Sequence, residues 1–87
     1  MGLDTVEIVL WAEQTFDVSM PDEEVGQIFT VGEFAKYIAK KVNDVKGTHI
    51  DYTDTLPQIL DILESDYGVK RSKITLSSRF VQDLGFG

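Results

Sequence analysis

Three stretches of the chain carry apolar residues spaced three and four positions apart, the spacing that places side chains on one face of an α-helix. The first is Leu3–Phe16, the second opens at Thr30, and the third covers residues 56–67. We expect the first helix to end before Pro21, because proline disfavours helix in the residue before it. The third helix should end at Gly68, because glycine commonly ends helices. The sequence therefore predicts an all-α fold, a small bundle of three main helices with one or two short ones.

The helix boundaries follow from local signals. Residues 30–33 and 55–58 both read as capping boxes, in which a threonine and a Glu or Gln three positions later satisfy free backbone amides. Residues 21–24 read as the start of a short helix with proline in the first turn and acids behind it. Residues 43–54 have no sustained period, so we expect a connector there, with His49 as a surface side chain.

The apolar faces predict the core. The first helix should bury one broad stripe: Leu3, Val6, Val9, Leu10 and Phe16, widened by Ile8 and Ala12. The later helices should bury Val31, Phe34, Ala35, Ile38 and Val42, then Leu56, Ile59, Leu60, Leu63 and Tyr67. After Gly68 we expect an extended loop and, in residues 78–85, one helical turn anchored by Phe80 and Leu84. The whole chain, residues 1–87, is predicted to be one domain.

Charge is distributed unevenly along the chain. Fifteen acids against eight bases give a net charge of −7, and residues 1–33 hold eight acids with no Lys or Arg. Such a surface disfavours nucleic acid and anionic membranes as partners and favours a basic one. An acidic face that serves only to keep the protein soluble remains an alternative.

Several function classes are disfavoured by composition. There is no cysteine and only one histidine, which argues against disulfides, thiolate nucleophiles, His-type metal sites and a His-based catalytic triad. No apolar run approaches the roughly 20 residues of a membrane span, and no phosphate-binding glycine loop follows a strand. We expect a cytoplasmic protein that is neither an enzyme nor a metalloprotein.

Two sets of motifs resemble one known family. Residues 3–9, Phe16, residues 20–24 and 30–33, with Tyr37-Ile38, closely resemble the second to fourth helices of acyl carrier proteins. Residues 59–70, Ile74 and residues 80–85 resemble the first helix of that family and the loop that leads to its modified serine. In ordinary members this second portion comes first. The chain is therefore similar to a circularly permuted acyl carrier protein, with the family's last and first helices joined through about residues 43–54.

The resemblance implies an attachment site that this chain lacks. Family members carry 4′-phosphopantetheine on the serine of an Asp-Ser-Leu sequence, but here Gly2 precedes Leu3, and Gly87 matches the aspartate. The chain as written is expected to carry no prosthetic group and no acyl chain. We also expect Met1-Gly2 and Phe86-Gly87 to be frayed.

The resemblance also implies docking and cavity residues. The acidic second helix of the family docks on basic surfaces of acyl-chain-processing enzymes and of phosphopantetheinyl transferase. Residues matched to that role are Asp4, Glu7 and Glu13, with Trp11 as a possible aromatic anchor or a half-buried packing residue. Residues matched to the acyl-chain cavity are Val6, Ala12, Met20 and Ile28, which core packing alone would also explain.

Two other interpretations stay open at this point. The chain could be an engineered permutant that acts as an inert scaffold, or an acidic interaction module that carries nothing. A monomer is expected, and exchange of residues 55–84 between two copies would give a dimer.

Overall fold

Four α-helices make up the protein in a computed structural model, which describes the backbone of residues 3–86 and the side chains of residues 5–86. The elements are α1 (Leu3–Phe16), α2 (Asp22–Val25), α3 (Val31–Lys46), α4 (Tyr52–Tyr67) and a 3₁₀ helix (Arg71–Lys73). Between residues 3 and 86 there is no strand, only one isolated β-bridge between Thr30 and Arg79. The prediction of a small all-α bundle is confirmed.

The start of α3 forms as the sequence predicts. The Thr30 hydroxyl accepts a hydrogen bond from the Glu33 amide at 3.1 Å, and the Glu33 carboxylate accepts one from the Thr30 amide at 3.0 Å. Its predicted inward residues are buried, from Val31 at the first position to Val42. The helix then continues past Asn43 to Lys46 and ends on Gly47 with φ 68°.

The predicted connector is therefore too long at both ends. Asn43 belongs to α3, and its side-chain amide bonds both the carbonyl and the amide of Ile50, at 2.8 and 2.9 Å. At the other end the N-cap of α4 is Asp51, whose capping box includes Asp54. These interactions leave only residues 47–51 outside the helices.

Thr55 does not cap α4 as the sequence suggested. It lies inside the helix, fully buried, and donates a 2.7 Å hydrogen bond to the carbonyl oxygen of Ala35 on α3. Pro57 is also inside α4. Proline at this position removes a bond to the carbonyl of Thr53, which is exposed and can bond water instead. Ile59 and Leu63 are fully buried, and Gly68 ends the helix as predicted.

The buried stripe of α1 is narrower than the sequence indicated. Ile8 and Ala12 are at its centre, exposed by 2% and 0%, whereas Val6 and Leu10 are exposed by 40% and 50%. The predicted broad face is therefore divided between the core and the surface. The helix ends before Asp17, which has a positive φ of 54°.

The segment after α4 closes the bundle against the start of α3. The amides of Val31 and Gly32 donate to the carbonyls of Ser78 and Leu76, both at 2.9 Å. The 3₁₀ helix interrupts the loop that we expect to be extended. Residues 80–84 form hydrogen-bonded turns rather than the predicted helical turn.

Aromatic packing corrects the expectation that Phe86 is frayed. Its ring is 3% exposed and stacks on Tyr67 with centroids 4.8 Å apart. It also lies 5.3 Å from the ring of Phe80, which in turn contacts Phe34. The other residues in that prediction, numbers 1, 2 and 87, lie outside the described part of the chain.

The start of α2 differs from the prediction by one position. Pro21 is the N-cap of this helix and does not belong to its first turn.

Candidate docking site

A groove of about 320 Å³ lies between α1 and the segment that leads into α2. We call it the α1–α2 groove. Its lining consists of Val6, Val9, Leu10, Glu13, Ser19, Met20, Pro21, Asp22 and Val25. The partly exposed side chains of Val6 and Leu10 give it an apolar wall, and two carboxylates stand among its lining residues. Apolar surface bordered by charge of one sign is typical of a site that contacts a partner.

Glu13 has a structural contact that the sequence did not reveal. Its Oε2 accepts a 2.8 Å hydrogen bond from the amide of Met20, seven residues further along the chain. The side chain is half-buried rather than solvated. This bond attaches the segment after α1 back onto the helix, and so it fixes the wall of the α1–α2 groove.

A second groove of about 350 Å³ lies on the other side of α1, against α4. We call it the α1–α4 groove. It is lined by Glu7, Leu10, Trp11, Gln14, Ile62, Asp66 and Tyr67. Trp11 is half-buried and meets Phe16 edge to face, with ring centroids 6.0 Å apart. Leu10 lines both grooves, so its exposed side chain forms the ridge between them.

Neither groove contains a lysine or arginine in its lining. Elsewhere, the Lys41 ammonium and the Tyr37 hydroxyl both donate hydrogen bonds to Glu24 Oε1, at 2.8 and 2.6 Å. The Lys41 ammonium, followed by the Tyr37 hydroxyl, lowers the pKa of Glu24, whereas burial and then the bond to Glu24 raise the pKa of Tyr37. All eight Lys and Arg residues lie on α3 or in the segment after α4.

Of the four residues matched to an acyl-chain cavity, Ala12 and Met20 belong to one core cluster and Ile28 packs against it, but the four do not line one common pocket. Val6 and Met20 line the α1–α2 groove, and Ala12 is fully buried without lining either groove. Ile28 lines a separate small pocket of about 20 Å³. That pocket also contains Thr5, whose hydroxyl is the one buried side-chain polar atom without a hydrogen-bond partner among the described residues.

The docking residues predicted from the sequence lie on two different sides of α1. Glu7 and Trp11 face the α1–α4 groove, whereas Glu13 faces the α1–α2 groove. The side chain of Asp4 lies outside the described residues. Sequence reasoning missed the contribution of α4, although Ile62 and Asp66 stand four positions apart, the spacing that places two side chains on one helix face.

The described hydroxyls do not fit the family's attachment site. Gly2 and Gly87, which match its serine and aspartate, have no side-chain oxygen and lie outside the described part of the chain. Among the serines, Ser78 is buried and accepts from the amide of Thr75, and Ser65 donates to Asp66. Ser19 lines the α1–α2 groove, and Ser72 and Ser77 are exposed in the segment after α4.

Among the side chains of residues 5–86, no group of three or more His, Asp or Glu could hold a metal ion. None of the helices in this range combines the length and apolar character of a membrane crossing.

The fold and site define a class: a small four-helix domain with two acidic grooves along one helix. No known family model matches the chain, and no solved structure matches it.

Proposed function

We propose that the chain is an acyl-carrier-protein-like module that docks on basic surfaces of acyl-chain-processing enzymes through α1. The observation that carries this proposal is the α1–α2 groove, where exposed Val6 and Leu10 lie beside Glu13 and Asp22 with no base in the lining. A partner with Lys or Arg around an apolar contact would complement this surface in both charge and shape. Of the docking residues that the resemblance assigns to α1, Glu13 lines this groove, whereas Glu7 and Trp11 face the α1–α4 groove.

The position of the C-terminal segment supports the permuted order. The resemblance requires residues 80–85 to lie next to the start of α1, although they are at the far end of the sequence. Phe80 lines the same small pocket as Thr5 and Ile8 of α1, and Phe86 belongs to the same core. The chain order therefore presents no obstacle to the arrangement that the motifs imply.

The proposed module acts without a prosthetic group of its own. In the family, 4′-phosphopantetheine supplies the thiol that carries the acyl chain. Its attachment needs a serine hydroxyl at the start of the helix, where this chain has glycine. The residues present do not fit the group, so the proposal covers docking and not acyl transfer.

A binding and mass experiment tests the proposal. The protein is titrated with a phosphopantetheinyl transferase at low and high salt, and then incubated with the transferase and coenzyme A. We expect micromolar-range binding that is lost at high salt, because exposed charge pairs are screened. Intact mass should not change. Absence of binding, or binding that salt does not weaken, would leave an inert scaffold as the better description.

Matched variants locate the docking face. Glu13→Gln with Asp22→Asn removes two charges from the α1–α2 groove, and Gln keeps an oxygen that can accept from the Met20 amide. Glu23→Gln with Asp44→Asn removes the same charge from side chains outside both grooves. The first pair should weaken transferase binding by about fivefold and the second by less than about twofold. Equal effects would argue for general electrostatic attraction.

A further inference from the structure

The α1–α4 groove has the features of a second contact surface. It combines apolar lining from Leu10, Trp11 and Ile62 with carboxylates at Glu7 and Asp66. Leu10 is half exposed, so the apolar part is open to a partner. The groove is lined by residues of both α1 and α4, and it is open to solvent rather than a closed cavity.

The two carboxylates of this groove are not neutralised within the described part of the chain. No ion pair there involves Glu7 or Asp66, although Asp61, Glu64 and Asp83 are all paired with arginines. The contact to Asp66 is a 3.0 Å hydrogen bond from the neighbouring Ser65 hydroxyl. Two free negative charges beside an apolar floor favour an occupant that brings positive charge with its own apolar face.

The fold restricts the shape of the occupant. A peptide that binds as an added β-strand would need an exposed sheet edge, and no strand exists between residues 3 and 86. A groove between two helices instead suits an amphipathic helix, which presents apolar side chains three and four positions apart. The ring of Trp11 rests edge to face on Phe16 and so is held in place to receive such a side chain.

From these observations we infer that the α1–α4 groove binds a basic amphipathic helix of the partner that docks on the α1–α2 groove. The inference rests on the proposed docking function and extends it. Partner binding then spans both sides of α1, with Leu10 as the shared ridge, and α4 takes part through Ile62 and Asp66. Trp11 is the apolar anchor of this second contact.

The single tryptophan of the chain makes the test direct. The probe is a synthetic amphipathic helix of leucine and lysine without aromatic residues, and its counterpart carries glutamate in place of lysine. Titration of the intact protein with the lysine helix should shift Trp11 emission to shorter wavelength and saturate. The glutamate helix should have no effect. Far-ultraviolet circular dichroism before titration checks that each variant is folded.

Variants at one position in the groove give opposite expectations. Gln14 is exposed and lines the groove, so Gln14→Lys should weaken binding of the lysine helix and Gln14→Glu should strengthen it, each by about threefold. Glu7→Gln with Asp66→Asn should weaken binding by about fivefold, compared with less than about twofold for Glu23→Gln with Asp44→Asn. An unchanged Trp11 emission, or indistinguishable Gln14 variants, would overturn the inference.

The outcomes separate this inference from the proposed function. In one outcome, Glu13→Gln with Asp22→Asn weakens transferase binding, whereas Glu7→Gln with Asp66→Asn changes neither transferase binding nor lysine-helix binding. The second contact is then refuted and the docking function stands. If the lysine helix binds as expected but the transferase does not bind, the groove is a peptide site and the proposed function is refuted.

Discussion

The pair α3 and α4 is terminated differently from α1. Both α3 and α4 begin with a complete capping box and end on a glycine in the left-handed conformation. α1 ends on Asp17, which adopts a positive φ despite its side chain. Left-handed backbone costs a residue with a Cβ free energy that glycine does not lose. The local stop signals of α3 and α4 are therefore stronger than the one that ends α1.

The two regions also differ in how much apolar surface they bury. Ile38, Ile59 and Leu63 of the α3–α4 pair are fully buried, whereas Val6 and Leu10 of α1 remain exposed by 40% and 50%. The same region that exposes apolar side chains holds no Lys or Arg up to residue 33. We therefore expect the α3–α4 pair to contribute more to stability than α1, and α1 to contribute a contact surface.

The strongest test of this division is one substitution made in both regions. Leu63→Ala removes a fully buried side chain and should lower the free energy of unfolding by about 2–5 kcal/mol. Leu10→Ala removes a half-exposed side chain and should cost less than about 1 kcal/mol. Urea denaturation followed by circular dichroism measures both. Comparable losses would mean that α1 contributes equally to the core.

The contact between α3 and the C-terminal segment gives the next largest effect. A Cβ at Gly32 would lie 2.8 Å from the carbonyl oxygen of Leu76, so one of the two backbones must move. Gly32→Ala should therefore destabilise by about 1–3 kcal/mol, even though alanine normally favours helix. Thermal denaturation measures the change. Gly26→Ala, whose Cβ would lie 3.2 Å from the nearest atom, is the control and should have a smaller effect. Stabilisation by Gly32→Ala would contradict the close approach.

Threonine to valine substitutions should change the free energy of unfolding in opposite directions in the two regions. Thr55 donates a 2.7 Å hydrogen bond within the α3–α4 interface, so Thr55→Val should cost about 1 kcal/mol. The buried hydroxyl of Thr5 on α1 has no partner, so Thr5→Val should stabilise by about 1 kcal/mol. Valine keeps nearly the same shape in both cases. Denaturant midpoints of the two variants relative to the parent protein provide the measurement, and equal signs would be the contrary result.

The smallest expected effect is a dependence of stability on pH at the start of α3. Hydrogen bonds from the amides of Phe29 and Thr30 lower the pKa of Glu33 below its ordinary value of 4.5. Because the folded pKa is the lower one, this stabilisation is fully present above about pH 4.5 and is lost as pH falls through the folded pKa. Glu33→Gln should flatten the stability profile in that acidic window, as thermal denaturation across pH would reveal. Glu23→Gln, outside the capping box, should leave the profile closer to that of the parent.

Sequence reasoning succeeded where a signal is local and unambiguous. The capping box at Thr30 and the terminator at Gly68 need only neighbouring residues, and both are confirmed. At the start of α4 two patterns competed. The capping box forms from Asp51 and Asp54, and not from Thr55 and Gln58. Inside the helix, the buried Thr55 hydroxyl donates a hydrogen bond to α3, which it could not do as a surface cap. A contact twenty residues away in the sequence is not visible in the local pattern.

The candidate site was only partly predictable for the same kind of reason. Periodicity indicates that α1 has an apolar side, but it does not say which of those side chains meet the bundle. Ile8 and Ala12 do so, and Leu10 instead separates two grooves. The acids of α1 were identified from composition, whereas Asp66 of α4 was missed because its role depends on which helix packs beside α1.

By itself the sequence determined the helices, most of their ends and the separation of acidic from basic residues, since these depend on backbone hydrogen bonding and charge within a few positions. Only the tertiary structure decided that Phe86 is buried against Tyr67, that Glu13 fixes the segment before α2, and that α1 is bordered by grooves on both sides. Those features require side chains distant in sequence to compete for the same space, and which of them is buried depends on how the helices pack.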